Sequence, residues 1–261
     1  NMDISNDEEL KEIKEKIKSK VSFLTNSYDN KSNLNYILNI DYEPIDWHID
    51  FKSGYRWDKK TWYKRIKYGY MLGVDVKVPW ELSRFQHLTT LGQAYVITGD
   101  EKYSLEYICQ ITDWIENNPP QFGVNWVCTM DVAIRAANWI LSLSFFKNSK
   151  LITNEFLFYF IKNIYIHGKH IINNLEYGSI TSNHYLSDIS GLLFISELFS
   201  EFNVGKKWKK FAINELKEEM AKQVYDDGVD FEASTCYHRL VLELFFYCTL
   251  FAIKNFSEFK E

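Results

Sequence analysis

SNHYLSDISGLLF, residues 182–194, is a long apolar helical run whose first turn is polar: Ser182, Asn183 and His184 precede Leu186, Ile189, Leu192, Leu193 and Phe194. Two other segments share this design. NWVCTMDVAIRAANW (125–139) opens on Asn125, Trp126 and Asp131, and DDGVDFEASTCYHR (226–239) leads through Glu232 into Tyr237, His238 and Arg239. Packing alone does not call for an Asn-His pair or a Tyr-His-Arg triplet at a helix start. Asn183 can cap the helix it opens. Its pairing with His184 argues for a further task.

Helical periodicity extends in both directions. Leu10, Ile13, Ile17, Val21 and Leu24 recur every three or four positions and predict a helix over 7–26. Residues 27–80 read as irregular and aromatic, with Trp47, Trp57, Trp62 and Trp80. Helices are expected over 81–98, 101–117, 129–147, 153–175, 183–201, 206–224 and 233–255, with Asp100, Thr129 and Thr153 as caps and Pro119-Pro120 as a stop. Short connections make successive helices antiparallel neighbours, so alternate connections share an end. By that parity the connections 118–128, 176–182 and 225–232 lie together, with PWELSR (79–84) entering from the same end. The fold class expected is all-α, an incomplete α/α toroid of antiparallel helix pairs. Residues 1–80 would pack as an N-terminal helix and aromatic segment on a toroid of residues 81–261.

Composition narrows the classes. With 46% hydrophobic and 25% charged residues in 261, the chain reads as globular. Gly (11) and Pro (4) are too sparse for an all-β sandwich. A net charge of −5 gives no sign of nucleic-acid binding. No uninterrupted apolar stretch reaches the ~18 residues of a membrane span, and no signal peptide is visible, so the compartment is open, periplasmic or cytoplasmic. Cys109, Cys128, Cys236 and Cys248 match no metal-site spacing, and His167 with His170 is a weak metal pair. No metal and no cofactor are expected. P-loop, dinucleotide and nucleophile-elbow motifs are absent from the sequence.

The polar groups suit one chemistry. Removing a proton α to a carboxylate creates a dianion, and donors such as Asn183 and His184 stabilise it as it forms. Tyr237 can protonate a departing oxygen, and with a lowered pKa it can act as a base. Arg135, inside an Ala- and Ile-rich helix, either pairs with Asp131 or binds a substrate carboxylate or sulfate. Glu232, His238 and Arg239 flank Tyr237 and are expected to bind substrate. Glu81 and Arg84 form an intrahelical pair or, for Arg84, a substrate contact. Trp57, Trp80 and Trp126 are packing residues or sugar-stacking platforms. Asp226-Asp227-Gly228 reads as a turn.

At these residues the chain resembles the heparinase II/III-like polysaccharide lyases, which include related alginate lyases. The matching segments are VPWELSRFQHL (78–88) with LGQAYVITGDEKY (91–103), NPPQFGVNWVCTMDVAIRAANW (118–139), SNHYLSDISGLLF (182–194) and DDGVDFEASTCYHRLVLE (226–243). The resemblance implies an N-terminal α/α toroid normally followed by a β-sandwich domain of the same protein, which this sequence does not include. It implies β-elimination at uronic-acid residues of an acidic polysaccharide, with Asn183 neutralising the carboxylate, His184 assisting and Tyr237 as acid or acid and base. Two other readings remain at this level. An inverting glycoside hydrolase could use Glu232 with Asp227 or Glu81, and a non-catalytic glycan-binding module could use the aromatic residues of 47–80.

Overall fold

The computed structural model describes residues 15–16, 18–20, 22–25 and 42–255. Those between 15 and 25 are helical; the rest of the helix expected over 7–26 lies outside the described residues. Two short strands, β1 (Ile49–Asp50) and β2 (Tyr55–Arg56), pair antiparallel with Ile49 opposite Arg56. Eight helices of six or more residues follow among the described residues: α1 (Lys77–Leu82), α2 (Leu88–Thr98), α3 (Glu101–Asn117), α4 (Thr129–Leu143), α5 (Asn154–Asn173), α6 (Asn183–Leu198), α7 (Asn203–Gln223) and α8 (Thr235–Asn255). The all-α class expected from sparse Gly and Pro is met.

The chain divides into two compact units, one of residues 1–127 and 141–163, the other of 128–140 and 164–261. Helices α4 and α5 each contribute to both.

In the first unit α2 packs on α3. Asp100 caps α3 by accepting the Lys102 N–H at 3.0 Å, as expected. The single helix expected over 81–98 is instead broken at 83–87. Phe85 adopts a left-handed backbone (φ 59°), a conformation that costs a side-chain-bearing residue of order 1–2 kcal/mol. The compensation is visible: its ring is fully buried and stacks 4.9 Å from Trp47, and Ser83 in the break accepts the Trp114 indole N–H at 3.2 Å. Periodicity carried the expected helix across a break that only these tertiary contacts create.

In the second unit α6 is the buried element, packed against α7 and α8. Tyr185 through Ile195 are buried without interruption. A helix buried all round shows little amphipathicity, and its serines must satisfy themselves. Ser187 and Ser190 do so by donating to the carbonyls of Asn183 and Leu186, both at 2.7 Å. Each of Leu186, Ile189, Leu192 and Leu193 contributes about 1.5–3 kcal/mol by leaving water. Gly191 allows the close approach of α6 to α4: a Cβ there would sit 2.7 Å from that of Ala133 and 2.8 Å from its Cα.

Helix α8 buries the stripe Val241, Phe245, Cys248 and Ala252, and Phe251 meets Phe194 of α6 at 4.5 Å. Its other face exposes Leu242, Phe246, Tyr247, Leu250 and Ile253. By length and mean hydropathy (1.4) α8 is long and apolar enough to cross a membrane. Counting uninterrupted apolar residues missed this, because His238, Arg239 and Glu243 interrupt the run. Only 22% of its apolar window is buried: the four-residue stripe packs on the second unit and the opposite face lies open.

Replacing Gly191 by Ala should push α6 from α4 and cost about 1–3 kcal/mol. Urea unfolding compares the variant with the parent; an unchanged midpoint would mean that the two helices can separate without penalty.

Candidate functional site

The N-termini of α4 and α6 each present backbone N–H groups that the helix itself cannot satisfy. In both cases a glutamate from a later connection supplies the acceptor. Glu176, in the connection from α5 to α6, accepts the Met130 N–H of α4 at 2.8 Å. Glu232, in the connection from α7 to α8, accepts the Asn183 N–H of α6 at 3.0 Å. The two glutamates occupy the same topological position in successive helix pairs. A carboxylate at a helix N-terminus also gains from the helix dipole.

Each carboxylate also orients a neighbouring side chain. Glu232 takes the Asn183 amide nitrogen on both oxygens, at 2.7 and 3.0 Å. Asn183 is therefore not the cap of α6; Ser182 precedes it without a side-chain cap bond, and Glu232 performs that task. The side-chain oxygen Oδ1 of Asn183 is buried with no hydrogen-bond partner among the described residues. Glu176 accepts the Nδ1 proton of His184 at 3.2 Å. That hydrogen bond raises the His184 pKa above 6.5 against the opposing effect of burial, with the charges of Glu176, Asp131 and Glu232 adding to it. Asp188, one turn further along α6, accepts the Glu176 backbone N–H at 2.7 Å. Burial holds its carboxyl well above the usual range. The connection is thus tied to α6 from beneath.

The α7–α8 connection is built similarly. Tyr225 N–H bonds to Val229 O at 2.9 Å around the Asp226-Asp227-Gly228 turn, where Gly228 takes φ 85°. The turn expected there is present. Asp230 is buried, and its N–H donates to His238 Nδ1 at 3.2 Å, so that His238 carries its proton on Nε2. Tyr237 stands exposed in the first turn of α8. Arg239 is exposed and pairs with Glu243 at 3.2 Å.

Other residues singled out in the sequence have different surroundings. Arg135 is completely buried, and its Nε donates to His167 Nε2 at 3.0 Å. Burial lowers its pKa to about 9, with the charge of Asp131 opposing the fall. In this arrangement it touches protein, not a surface a sugar can reach. Trp57, Trp80 and Trp126 are buried, with indole N–H groups on the carbonyls of Lys67, Val124 and Asn118. Their faces are packing faces, the plainer of the two sequence readings. Arg84 is half-buried in the first unit.

Sequence reasoning missed Glu176. A lone glutamate in a connection reads as solvated; its position in a connection assigned by parity to the same end was the only available signal. Cys128 Sγ, a Glu176 oxygen and His184 Nδ1 lie within 4.8 Å of one another, a donor set that suits a divalent cation by type. The positive end of α4 points at the same carboxylate and competes with a cation for its charge.

The model of the family described as Heparinase II/III N-terminus matches residues 1–258, and the chain belongs to that family. A heparin-sulfate lyase of Pedobacter heparinus is 32% identical over 176 residues, 66% of this chain and 26% of that protein. One from Bacteroides stercoris is 30% identical over 191 residues, 66% of this chain and 28% of that protein. The chain therefore spans under a third of the curated relatives it matches. Among solved structures, a heparan sulfate lyase of Pedobacter heparinus superposes with TM-score 0.58 at 30% identity, covering 70% of this chain and 29% of that one. A heparinase III structure gives 0.62 at 23% identity over the whole chain and 44% of its own, a likeness of fold.

The raised His184 pKa gives a signed expectation. A histidine held above its unfolded pKa adds stability that is fully present below about 6.5 and is lost as pH rises through the folded value. Glu176→Gln keeps an acceptor for Met130 but removes the charge. The parent should exceed the variant in melting temperature at about pH 5.5, and the gap should narrow towards about pH 8.5. A gap constant across that range would mean that the pair does not couple.

Proposed function

We propose, from the premise that the chain belongs to the heparinase II/III N-terminal family, that it carries part of the active site of a polysaccharide lyase. The reaction is β-elimination at a uronic-acid residue of an acidic polysaccharide of glycosaminoglycan, alginate or capsular type. The observation that carries this reading is the Asn183-His184 pair at the start of a buried helix, held from both sides by Glu232 and Glu176.

Both oxygens of Glu232 lie on one side of the Asn183 amide nitrogen and take the N–H on that side. The amide's second N–H is the donor for a substrate carboxylate. His184, with its Nδ1 proton directed at Glu176, is held beside Asn183 and offers its other ring nitrogen to the developing dianion. A base removes the proton on C5, the electron pair forms the C4–C5 double bond, and the C4–oxygen bond breaks. Tyr237 protonates the departing oxygen, its exposure on α8 leaving it open to a sugar chain. The base is Tyr237 itself or a group from another part of a longer protein, such as the β-sandwich domain that the resemblance implies as partner. No cofactor is called for.

Glu232 is a positioning residue in this scheme. Its carboxylate is spent on Asn183, which weighs against its serving as the acid or base of a glycoside hydrolase. Arg135 is likewise removed from substrate contact and assigned to hold His167.

The test follows ultraviolet absorbance of the unsaturated uronate during incubation with a panel of uronate polysaccharides, using the full-length gene product. Turnover should fall about 10²–10⁴-fold in Tyr237→Phe, with substrate binding retained. Parent-level turnover in that variant, or new reducing ends without absorbance, would overturn the lyase assignment.

A further inference from the structure

The segment Lys52–Tyr70 in the first unit carries Lys52, Arg56, Lys59, Lys60, Lys64, Arg65 and Lys67 against a single carboxylate, Asp58. Its net charge of +6 leaves −11 for the remainder of a chain whose total is −5. So steep a local reversal makes a polyanion-attracting surface on an acidic protein.

The segment is held in shape from below. Buried Trp57 donates its indole N–H to Lys67 O at 3.1 Å, which ties its middle to its end. Tyr63 N–H bonds to Gln121 O at 2.9 Å and Gly123 N–H to Thr61 O at 2.8 Å. The buried Asp50 carboxylate accepts the N–H groups of Lys52 and Asp75, both at 3.0 Å. Tyr55 and Tyr70 share a side-chain hydrogen bond.

Two cations are consumed internally: Arg56 pairs with Asp46, and Lys59 donates to Asn117 Oδ1 at 3.2 Å. Lys64 sits over the rings of Trp62 and Tyr63, at 5.9 and 5.6 Å. Lys52, Lys60, Arg65 and Lys67 are exposed, and none has an ion-pair partner among the described residues. Trp62, Tyr68 and Tyr70 are exposed between them. Cations interleaved with exposed aromatic side chains match a chain of alternating anionic groups and sugar rings: the Arg65 fork and the lysine heads take sulfate and carboxylate, and the exposed parts of the rings take the apolar faces of the sugars.

We propose that Lys52–Tyr70 is a binding surface for a sulfated, uronate-containing polysaccharide, made entirely by the first unit and acting apart from the chemistry of Asn183 and Tyr237. The identity of the sugar rests on the lyase reading above; the preference for a polyanion rests on the surface itself.

The test uses the full chain and heparin as probe, with hyaluronan and duplex DNA as comparison polyanions, titrated at several salt concentrations. The triple variant Lys60→Ala/Arg65→Ala/Lys67→Ala should bind heparin on the order of tenfold more weakly, with a flatter salt dependence. Its melting temperature should match the parent, because all three side chains are exposed. Equal heparin affinity in triple variant and parent, or no heparin binding by the parent, would overturn the proposal. Equal binding of duplex DNA and heparin would overturn the assignment to a sugar chain. Binding that depends on the three cations, from a protein that never produces unsaturated uronate, would leave this surface standing and remove the lyase reading instead.

Discussion

The second unit depends on satisfying the start of a helix that is buried along nearly its whole length. Helix α6 buries Asn183 at its start, and an unsatisfied buried donor costs about 1–3 kcal/mol. Ser182 does not supply the acceptor; Glu232 does, from a connection 49 residues further on. Once a carboxylate is required there, the Asn183 amide beside it is held in one orientation by the same group. The capping requirement and the ordering of a polar site side chain are thus met by one interaction.

The same solution appears one helix pair earlier, where Glu176 caps α4 and orients His184. The two glutamates differ in what they hold. Glu232 grips a neutral amide and fixes geometry. Glu176 holds a titratable imidazole and sets charge, raising its pKa. Asp188 anchors the second arrangement from within α6, its own burial favouring the neutral acid. A repeated capping device has therefore yielded a donor of fixed direction and an imidazole with a raised pKa, and the proposed elimination uses both.

The first unit is governed by aromatic packing instead. The stack of Phe85 on Trp47 accompanies the left-handed backbone that ends α1, and buried indoles secure the loops around them. Those fastenings allow a dense run of cations to remain on an ordered segment. Mutual repulsion would otherwise favour spreading them, and the hydrogen bonds of Trp57, Tyr63 and Asp50 oppose it.

Much was determined by the sequence alone, because helix formation is local. The three- and four-residue spacing of apolar positions, the Asp100 cap and the scarcity of Gly and Pro carry the all-α class and the positions of α3 to α8 to within a few residues. Chain parity brought the starts of α4 and α6 and the two connections bearing Glu176 and Glu232 to one end, and within the second unit they do meet. The motif residues also led to the family to which the chain belongs. What only the tertiary structure decided concerns partners distant in sequence. Whether Arg135 faces a cleft or His167, whether Trp57, Trp80 and Trp126 offer a face or an edge, and whether α1 runs on past Ser83 depend on groups tens of residues away. Glu176 is the clearest case: on the chain it is one acid in a loop, and it gains a role only when folding brings a helix N-terminus and an imidazole to its two oxygens.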